Sequence, residues 1–465
     1  MMFRRGTRQV GAAASPPPGR VLAVLFTGVL MGALDIAIVG PALPAIQTDF
    51  ALGERALSWV FNVYILFNLI GAPVMAKLSD RLGRRRAYSG SIGLFAFGSV
   101  VVAAAPSFDI MLAGRAVQAF GAGGIFPVAA AVIGDTFPEA RRGRALGLIG
   151  AVFGIAFLLG PLLGGILLRF SWHWLFLINV PIALGVLWQA QRVLPSAGQL
   201  QVRPFDLAGA LCLSTLLAAL AFVISTLEPG DLATGLRAPA TLMSLAAFIV
   251  CAPLFWHIEA RSADPILHPS LLRSLELKLI ALIALATGLA EAGMVFLPSM
   301  AVAGLGVAEA TASLMLLPLV ATLIVGAPVA GRLVDAVGAK KVIQGGLALC
   351  IAGLVVFGLA ALELTTFFGA GGLTGLGLAV LLGAPLRYVV IREVPDTQRG
   401  AGQGLLTLFL SVGQLSGAAL VGGVAASRDG AAAGYQAAML VIGALMLVAL
   451  VLSTRLRNVV DRAAT

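Results

Sequence analysis

Charge is what this chain lacks. Of its 465 residues, 11% are Asp, Glu, Lys or Arg and 59% are hydrophobic. Soluble domains carry roughly 25% charged residues, so a water-soluble globule of this size is excluded: it would have too few charges to cover its surface. Cysteine is scarce as well. Cys212, Cys251 and Cys350 each lie in a different apolar stretch, which excludes a disulfide framework or a zinc-binding spacing. The three histidines, His173, His257 and His268, form no HExxH and no carboxylate–histidine cluster, so no metal site is indicated. None sits deep in an apolar run, where a membrane-embedded serine protease would need one. GxxxxGK(S/T) is absent, and with it any phosphate-cradling loop. No enzyme and no cofactor follows from these residues, and primary active transport would need a separate ATPase subunit.

Long apolar runs fill the space that charge leaves. Stretches of about 20 apolar residues recur along the chain, each long enough to cross a hydrocarbon core of about 30 Å. A β-barrel needs short alternating strands, whereas Val21 to Leu34 and Met439 to Leu452 are unbroken. The expected class is therefore all-α and polytopic. Hydropathy predicts about fourteen spans, near residues 21–44, 56–76, 88–105, 108–134, 145–169, 174–191, 207–227, 240–257, 279–300, 309–331, 342–361, 366–386, 404–427 and 435–454.

The net charge of +10 is a topological signal. With an even number of spans both termini lie on one side, and that side collects Arg4, Arg5, Arg8, Arg20, Lys77, Arg81, Arg84, Arg85, Arg86, Arg141, Arg142 and Arg144. It also holds Lys340, Lys341, Arg387, Arg392, Arg399, Arg455 and Arg457, against Arg55, Arg169, Arg237 and Arg428 opposite. Positive loops face the cytoplasm and its anionic leaflet. Both termini are expected there, and the basicity requires no nucleic acid.

Two basic-side loops resemble one another: AKLSDRLGRRRA from Ala76 and GRLVDAVGAKKV from Gly331, an offset of 255 residues. A second pair, ARRGRALG around Gly143 and TQRGAGQG around Gly400, has an offset of 257. Each offset spans eight predicted helices. A duplicated six-helix unit with two helices inserted accounts for this, giving six, two and six. The expected division is a cytoplasmic tail at 1–20 and a six-helix bundle at 21–192. Two inserted helices with cytoplasmic loops follow at 193–278, then a second bundle at 279–454 and a tail at 455–465. Parallel repeats of this kind are one plan of secondary transporters.

These features resemble the major facilitator superfamily, and within it the fourteen-helix drug:proton antiporter branch. LDIAIVGPALP from Leu34 is similar to that branch's first-helix signature. Asp80, Arg81, Gly83, Arg84 and Arg85 match the loop motif between helices two and three. Arg115, Gln118 and Gly121 resemble the motif linked to proton coupling, and Gly154 with GPLLGG (Gly160, Pro161, Gly164, Gly165) resembles the antiporter motif. WHWLFLINVPI from Trp172 and FDLAG from Phe205 add to the likeness. The resemblance implies the major facilitator fold in a bacterial inner membrane and a monomer. It also implies proton-coupled export of small amphipathic compounds such as drugs, with protons and membrane lipids as the other partners. Export of a lipid or endogenous metabolite, and proton-coupled uptake, are alternatives on the same fold.

Five groups of residues are candidates for function. Asp35, well inside the first span, carries a charge that costs about 2.5–3.5 kcal/mol at mid-membrane, so it is expected to face a cavity or bind a proton. Glu291, in GLAEAGMVFLP, repeats the problem in the second half; with Asp35 it would favour a cationic guest. Arg115 is placed near a span boundary, either snorkelling outward or partnering a carboxylate, with Gln118 beside it. Asp80, Arg81, Gly83, Arg84 and Arg85, and Arg332 with Asp335 in the second half, are expected to form conformational latches. The bare face of Gly154, Gly160, Pro161, Gly164 and Gly165 permits close helix approach. Asp206 is expected to cap the seventh helix, and Asp135 and Glu139 to be solvated.

Overall fold

The computed structural model describes residues 18–194, 206–226, 236–262, 265–267, 271–394, 399–428 and 430–457, and among these every regular element is helical. A first set comprises α1 (Pro18–Asp49), α2 (Glu54–Leu82), α3 (Arg84–Ala103), α4 (Phe108–Thr136), α5 (Glu139–Leu167), α6 (His173–Leu177) and α7 (Asn179–Val193). Next come α8 (Leu207–Thr226) and α9 (Pro239–Arg261). A second set comprises α10 (Leu275–Val295), α11 (Leu297–Leu305), α12 (Glu309–Leu314), α13 (Leu317–Val337), α14 (Ala339–Leu359), α15 (Leu364–Leu382), α16 (Ala384–Glu393), α17 (Arg399–Ala426) and α18 (Ala431–Ser453).

Among the described residues, twelve helical segments are long and apolar enough to cross a membrane. Helices α5 and α8 carry shorter apolar stretches, Leu158–Leu167 and Ala208–Ile224. The expected spans differ from the observed helices in two ways. Helix α1 begins at Pro18, inside the stretch expected to be tail, and α2 continues to Leu82, past residue 76. Four expected spans are each broken, at Ile178, Phe296, Met315–Leu316 and Gly383. At three of these breaks the following helix has proline in its first two positions. Proline lacks an N–H and cannot continue the preceding ladder, but it starts a new helix well. Hydropathy is blind to that substitution of geometry for apolarity. Asp206 caps α8 as expected, its Oδ1 accepting from the Gly209 N–H at 2.6 Å.

The two sets pack in one pattern. In the first, α4 lies against α2 and α3, α1 against α5, and α7 against α1 and α3. In the second, α15 lies against α13 and α14, α10 against α17, and α18 against α10 and α14. Helix α8 lies along the seam between the sets, touching both α2 and α17, and α9 packs on α8. Trp59 of α2 and Phe222 of α8 meet with ring centroids 6.3 Å apart.

The sets join most firmly at the end opposite the basic loops. A single buried apolar cluster there contains Ile38 and Leu43 of α1 together with Phe296, Leu297 and Met300. Ser313 Oγ donates to the Pro161 carbonyl at 2.8 Å, and the Tyr435 hydroxyl donates to Glu54. At the basic end the first set has a core of its own, with Val21, Leu25, Tyr88, Ile133 and Val186.

The duplicated loops turn on glycines of matching backbone geometry. Gly83 has φ 88° and ψ 152°, and Gly338, at the same offset of 255 residues, has φ 86° and ψ 151°. This region is open essentially to glycine alone, so one tight helix-to-helix turn is built twice. Gly83→Ala and Gly338→Ala are each expected to destabilise the protein by ~1–3 kcal/mol, read as a lower melting temperature in detergent, with a Gly90→Ala control, where a methyl meets open space, near wild type.

Candidate functional site

Asp35 and Arg115 are both 0% exposed, so neither charge is solvated. Arg115 does not snorkel: it lies inward, and its Nη1 donates to Asp35 Oδ2 at 2.8 Å and to Gln118 Oε1 at 2.7 Å. Its Nε reaches the Val60 carbonyl at 3.4 Å. The guanidinium lies 4.2 Å from the Tyr64 ring centroid and 5.6 Å from that of Phe176, an arrangement in which ring quadrupoles replace part of the lost hydration. Its Nη2 and the Tyr64 hydroxyl are buried without a hydrogen-bond partner.

The carboxylate has further donors. Gln118 Nε2 donates to Asp35 Oδ1 at 2.7 Å, and Asn179 Nδ2 donates to the same oxygen at 3.2 Å. Both amides also reach Ser99 Oγ, at 2.8 and 3.4 Å, while Ser99 itself donates to the Phe95 carbonyl at 2.9 Å. Residues from α1, α3, α4 and α7 thus converge on one carboxylate. Sequence reading found Asp35, Arg115 and Gln118 but not Ser99, Tyr64 or Asn179. Asn179 lay within the WHWLFLINVPI resemblance and was not singled out; it opens α7 just after the break at Ile178. Close approach makes the convergence possible: a methyl group on Gly98 would sit 2.6 Å from the Gln118 Cα.

Glu291 stands apart from this cluster. It lies on α10, partly exposed, with Oε2 sealed from solvent and lacking a partner, and Gln414 of α17 is its polar neighbour. It is not among the hydrogen-bond partners of Asp35.

At the basic end Arg84 is the hub of the loop motif. Its Nη1 donates to Asp80 Oδ1 at 2.6 Å and to Ser79 Oγ at 2.9 Å, and its Nε donates to Asp135 Oδ2 at 2.7 Å. Asp135 is therefore ion-paired, where solvation alone was expected; the fold of α2 and α3 against α4 delivers the arginine to it. Arg85 donates to the Gln191 carbonyl near the end of α7 at 3.0 Å. Its repeat counterpart Lys340 donates to the Thr454 carbonyl just beyond α18 at 2.6 Å. Each cation thus meets the negative end of a helix dipole. Arg81 and Arg332 are exposed, and the side chain of Asp335 lies outside the described residues, as do those of Arg141, Arg142 and Glu139.

Helix α5 runs through Pro161 without interruption. Gly160 is pressed against α1, where a methyl group would lie 2.6 Å from the Ala37 Cβ, and Gly164 against both Pro41 of α1 and Ser313 of α12. Gly165 faces Leu314. Gly154 lies two turns earlier on the same helix. On this face Gly160 thus meets α1, while Gly164 and Gly165 meet α12 of the second set.

Two helix sets packed in one pattern, twelve segments long and apolar enough to cross a membrane, and an ion pair buried inside the first set define an integral membrane protein. The family model of the Major Facilitator Superfamily matches residues 25–258 and 279–464, and the chain belongs to that superfamily. It is 37% identical over 402 residues to the uncharacterized MFS-type transporter YfiU of Bacillus subtilis, covering 84% of this chain and 76% of that protein. It is 30% identical over 404 residues to the multidrug resistance protein Stp of Mycobacterium tuberculosis, covering 86% and 74%. Among solved structures, a bacterial homologue of the human lysosomal transporter Spinster, inward-facing and unoccupied, matches with a TM-score of 0.66 at 17% identity, covering 95% of this chain and 97% of that one.

Removing one partner of a buried pair leaves an uncompensated charge, at a cost of ~3–5 kcal/mol. Arg115→Leu is therefore expected to lower the melting temperature markedly, and Arg115→Leu combined with Asp35→Asn to recover part of the loss. A double-mutant cycle by thermal unfolding in detergent measures the coupling.

Proposed function

We propose that this chain is a secondary transporter that exports small amphipathic compounds, cations among them, in exchange for protons. The observation that carries the reading is the Asp35 carboxylate, fully buried in a span and held by Arg115, Gln118 and Asn179. A charge in that setting is costly unless it is paired or protonated, so exchange of Arg115 for a proton is a natural two-state event. Export is supported by the similarity to Stp, a protein named for multidrug resistance, and by the glycine face of α5 at the junction of the sets. Glu291, with an unpartnered oxygen in the second set, is the second carboxyl available to a cation or a proton.

In this reading the chain is a monomer in a bacterial inner membrane, with both termini cytoplasmic and fourteen spans. The bundles at 21–192 and 279–454 rock against one another, with 193–278 as the inserted pair. Asp80, Arg84 and Asp135, with Arg81, Gly83 and Arg85, form the cytoplasmic latch of the first bundle; Arg332 and Asp335 serve the second. Gly154, Gly160, Pro161, Gly164 and Gly165 seal the outward side.

In liposomes with an imposed pH gradient, wild-type protein is expected to accumulate a lipophilic cation such as ethidium, and Asp35→Asn to lose gradient-driven accumulation at least tenfold. Accumulation of no cation in a panel by folded protein would redirect the assignment to lipid or metabolite export. Unchanged exchange in Asp35→Asn would remove that carboxylate from coupling.

A further inference from the structure

Three side chains donate to the Asp35 carboxylate. Arg115 can only donate, and because its Nη1 donates to Gln118 Oε1 at 2.7 Å, the Gln118 amide must turn its NH₂ towards Asp35. Each NH₂ group has two hydrogens. For both Gln118 and Asn179 one hydrogen goes to Asp35 Oδ1 and the other to Ser99 Oγ. Ser99 spends its own hydrogen on the Phe95 carbonyl one helical turn back. That leaves its lone pairs as the acceptors for both amides. The hydroxyl is fully buried on α3 and makes no contact with Asp35 among these hydrogen bonds.

We propose that Ser99 is a positioning residue: its hydroxyl locks Gln118 and Asn179 in the orientation that donates to Asp35, and so sets the pH at which Asp35 gives up a proton. The proposal rests on the reading of Asp35 as the proton carrier. A carboxylate with three donors is stabilised relative to the carboxylic acid, whose O–H would find no acceptor among Arg115, Gln118 and Asn179 in their present orientation. Without the Ser99 acceptor the second amide hydrogens are orphaned in an apolar interior, and the side chains gain from turning away.

Among the described residues, no charged side chain is a hydrogen-bond partner of Ser99. Arg115 of α4 bonds the other carboxylate oxygen, Oδ2, and Tyr64 of α2 lies against its guanidinium. Tyr88 of α3 bonds α1 at Val24 and Leu25, nearer the basic end. Glu291 of α10 and Glu309 of α12 belong to the second set, whose Val295 meets α1 at Gly40. His173 of α6 is bound to Ser171.

The test is an infrared titration of the protonated-carboxyl band in liposome-embedded protein, with the contribution of Asp35 isolated as the difference from Asp35→Asn. In Ser99→Ala the midpoint of that band is expected to move upward by about one pH unit, the size of one charge-assisted hydrogen bond lost. Ser99→Thr, which keeps the hydroxyl, is expected to restore the wild-type midpoint. Asn179→Ala, which deletes a donor directly, is expected to shift it the same way and serves if Ser99→Ala fails to fold. An unmoved midpoint in folded Ser99→Ala, or in folded Asn179→Ala, would overturn the proposal while leaving Asp35 as the proton carrier. A wild-type spectrum with no titrating band absent from Asp35→Asn would overturn the underlying reading of Asp35 instead.

Discussion

One buried carboxylate constrains the first helix set. Asp35 cannot stay charged in a lipid-solvated bundle without donors, and a single donor is not enough to offset its lost hydration. The chain therefore brings α3, α4 and α7 within hydrogen-bonding distance of α1. Small residues allow this. Gly98 lets α3 approach the Gln118 backbone, and Gly160 lets α5 approach Ala37. The aromatic rings of Tyr64 and Phe176 close the guanidinium off on its other faces. Polar cluster and glycine pattern are thus two halves of one requirement, since bulkier side chains would hold the donors too far away.

The same packing plan repeated in the second set has a different interior. Helices α10 and α17 press together through Gly288, Gly413 and Gly417, as closely as α3 and α4 do, but the acid there, Glu291, has an unpartnered oxygen instead of an arginine. The duplication preserved the backbone turn at Gly83 and Gly338 and the cation that follows it, Arg85 or Lys340, bonded to the end of the last helix of its set. It did not preserve the charge pair. Conserving the turn and varying the interior suits a scaffold in which two similar bodies share one way of moving and divide the chemistry between them. In the present arrangement these bodies join through α1, α2 and α5 of the first set and α11, α12 and α17 of the second, while the basic end of the first set closes on its own core.

Much of this was legible in the residues because the bilayer imposes simple rules. Apolar length identifies spans, Lys and Arg mark one side, and a charge within a span stands out against its neighbours. Asp35 was found in that way, and Arg115 and Gln118 through the resemblance of their stretch to a known motif. The breaks at Ile178, Phe296, Met315–Leu316 and Gly383 were not, since hydropathy averages over proline and glycine. Ser99 and Asn179 were missed for a related reason: a neutral polar side chain costs little enough in a span that its presence is no signal, and only its neighbours reveal a role. Arg115 was placed near a boundary because a one-dimensional count measures depth along a helix and says nothing of what covers its end.

By itself, then, the sequence determined that the protein is helical, lives in lipid, carries an internal repeat and holds charged side chains within its spans. All of these follow from composition and spacing, which act along one dimension. Only the tertiary structure decided which charge meets which. It turned Arg115 inward onto Asp35, brought Asn179 to the other oxygen of that carboxylate from 144 residues away, paired Arg84 with Asp135, and left Glu291 outside the cluster. Hydrogen bonds are short-ranged and directional, so which groups meet is settled by the packing of helices, and that packing is set by every small residue on their facing surfaces together.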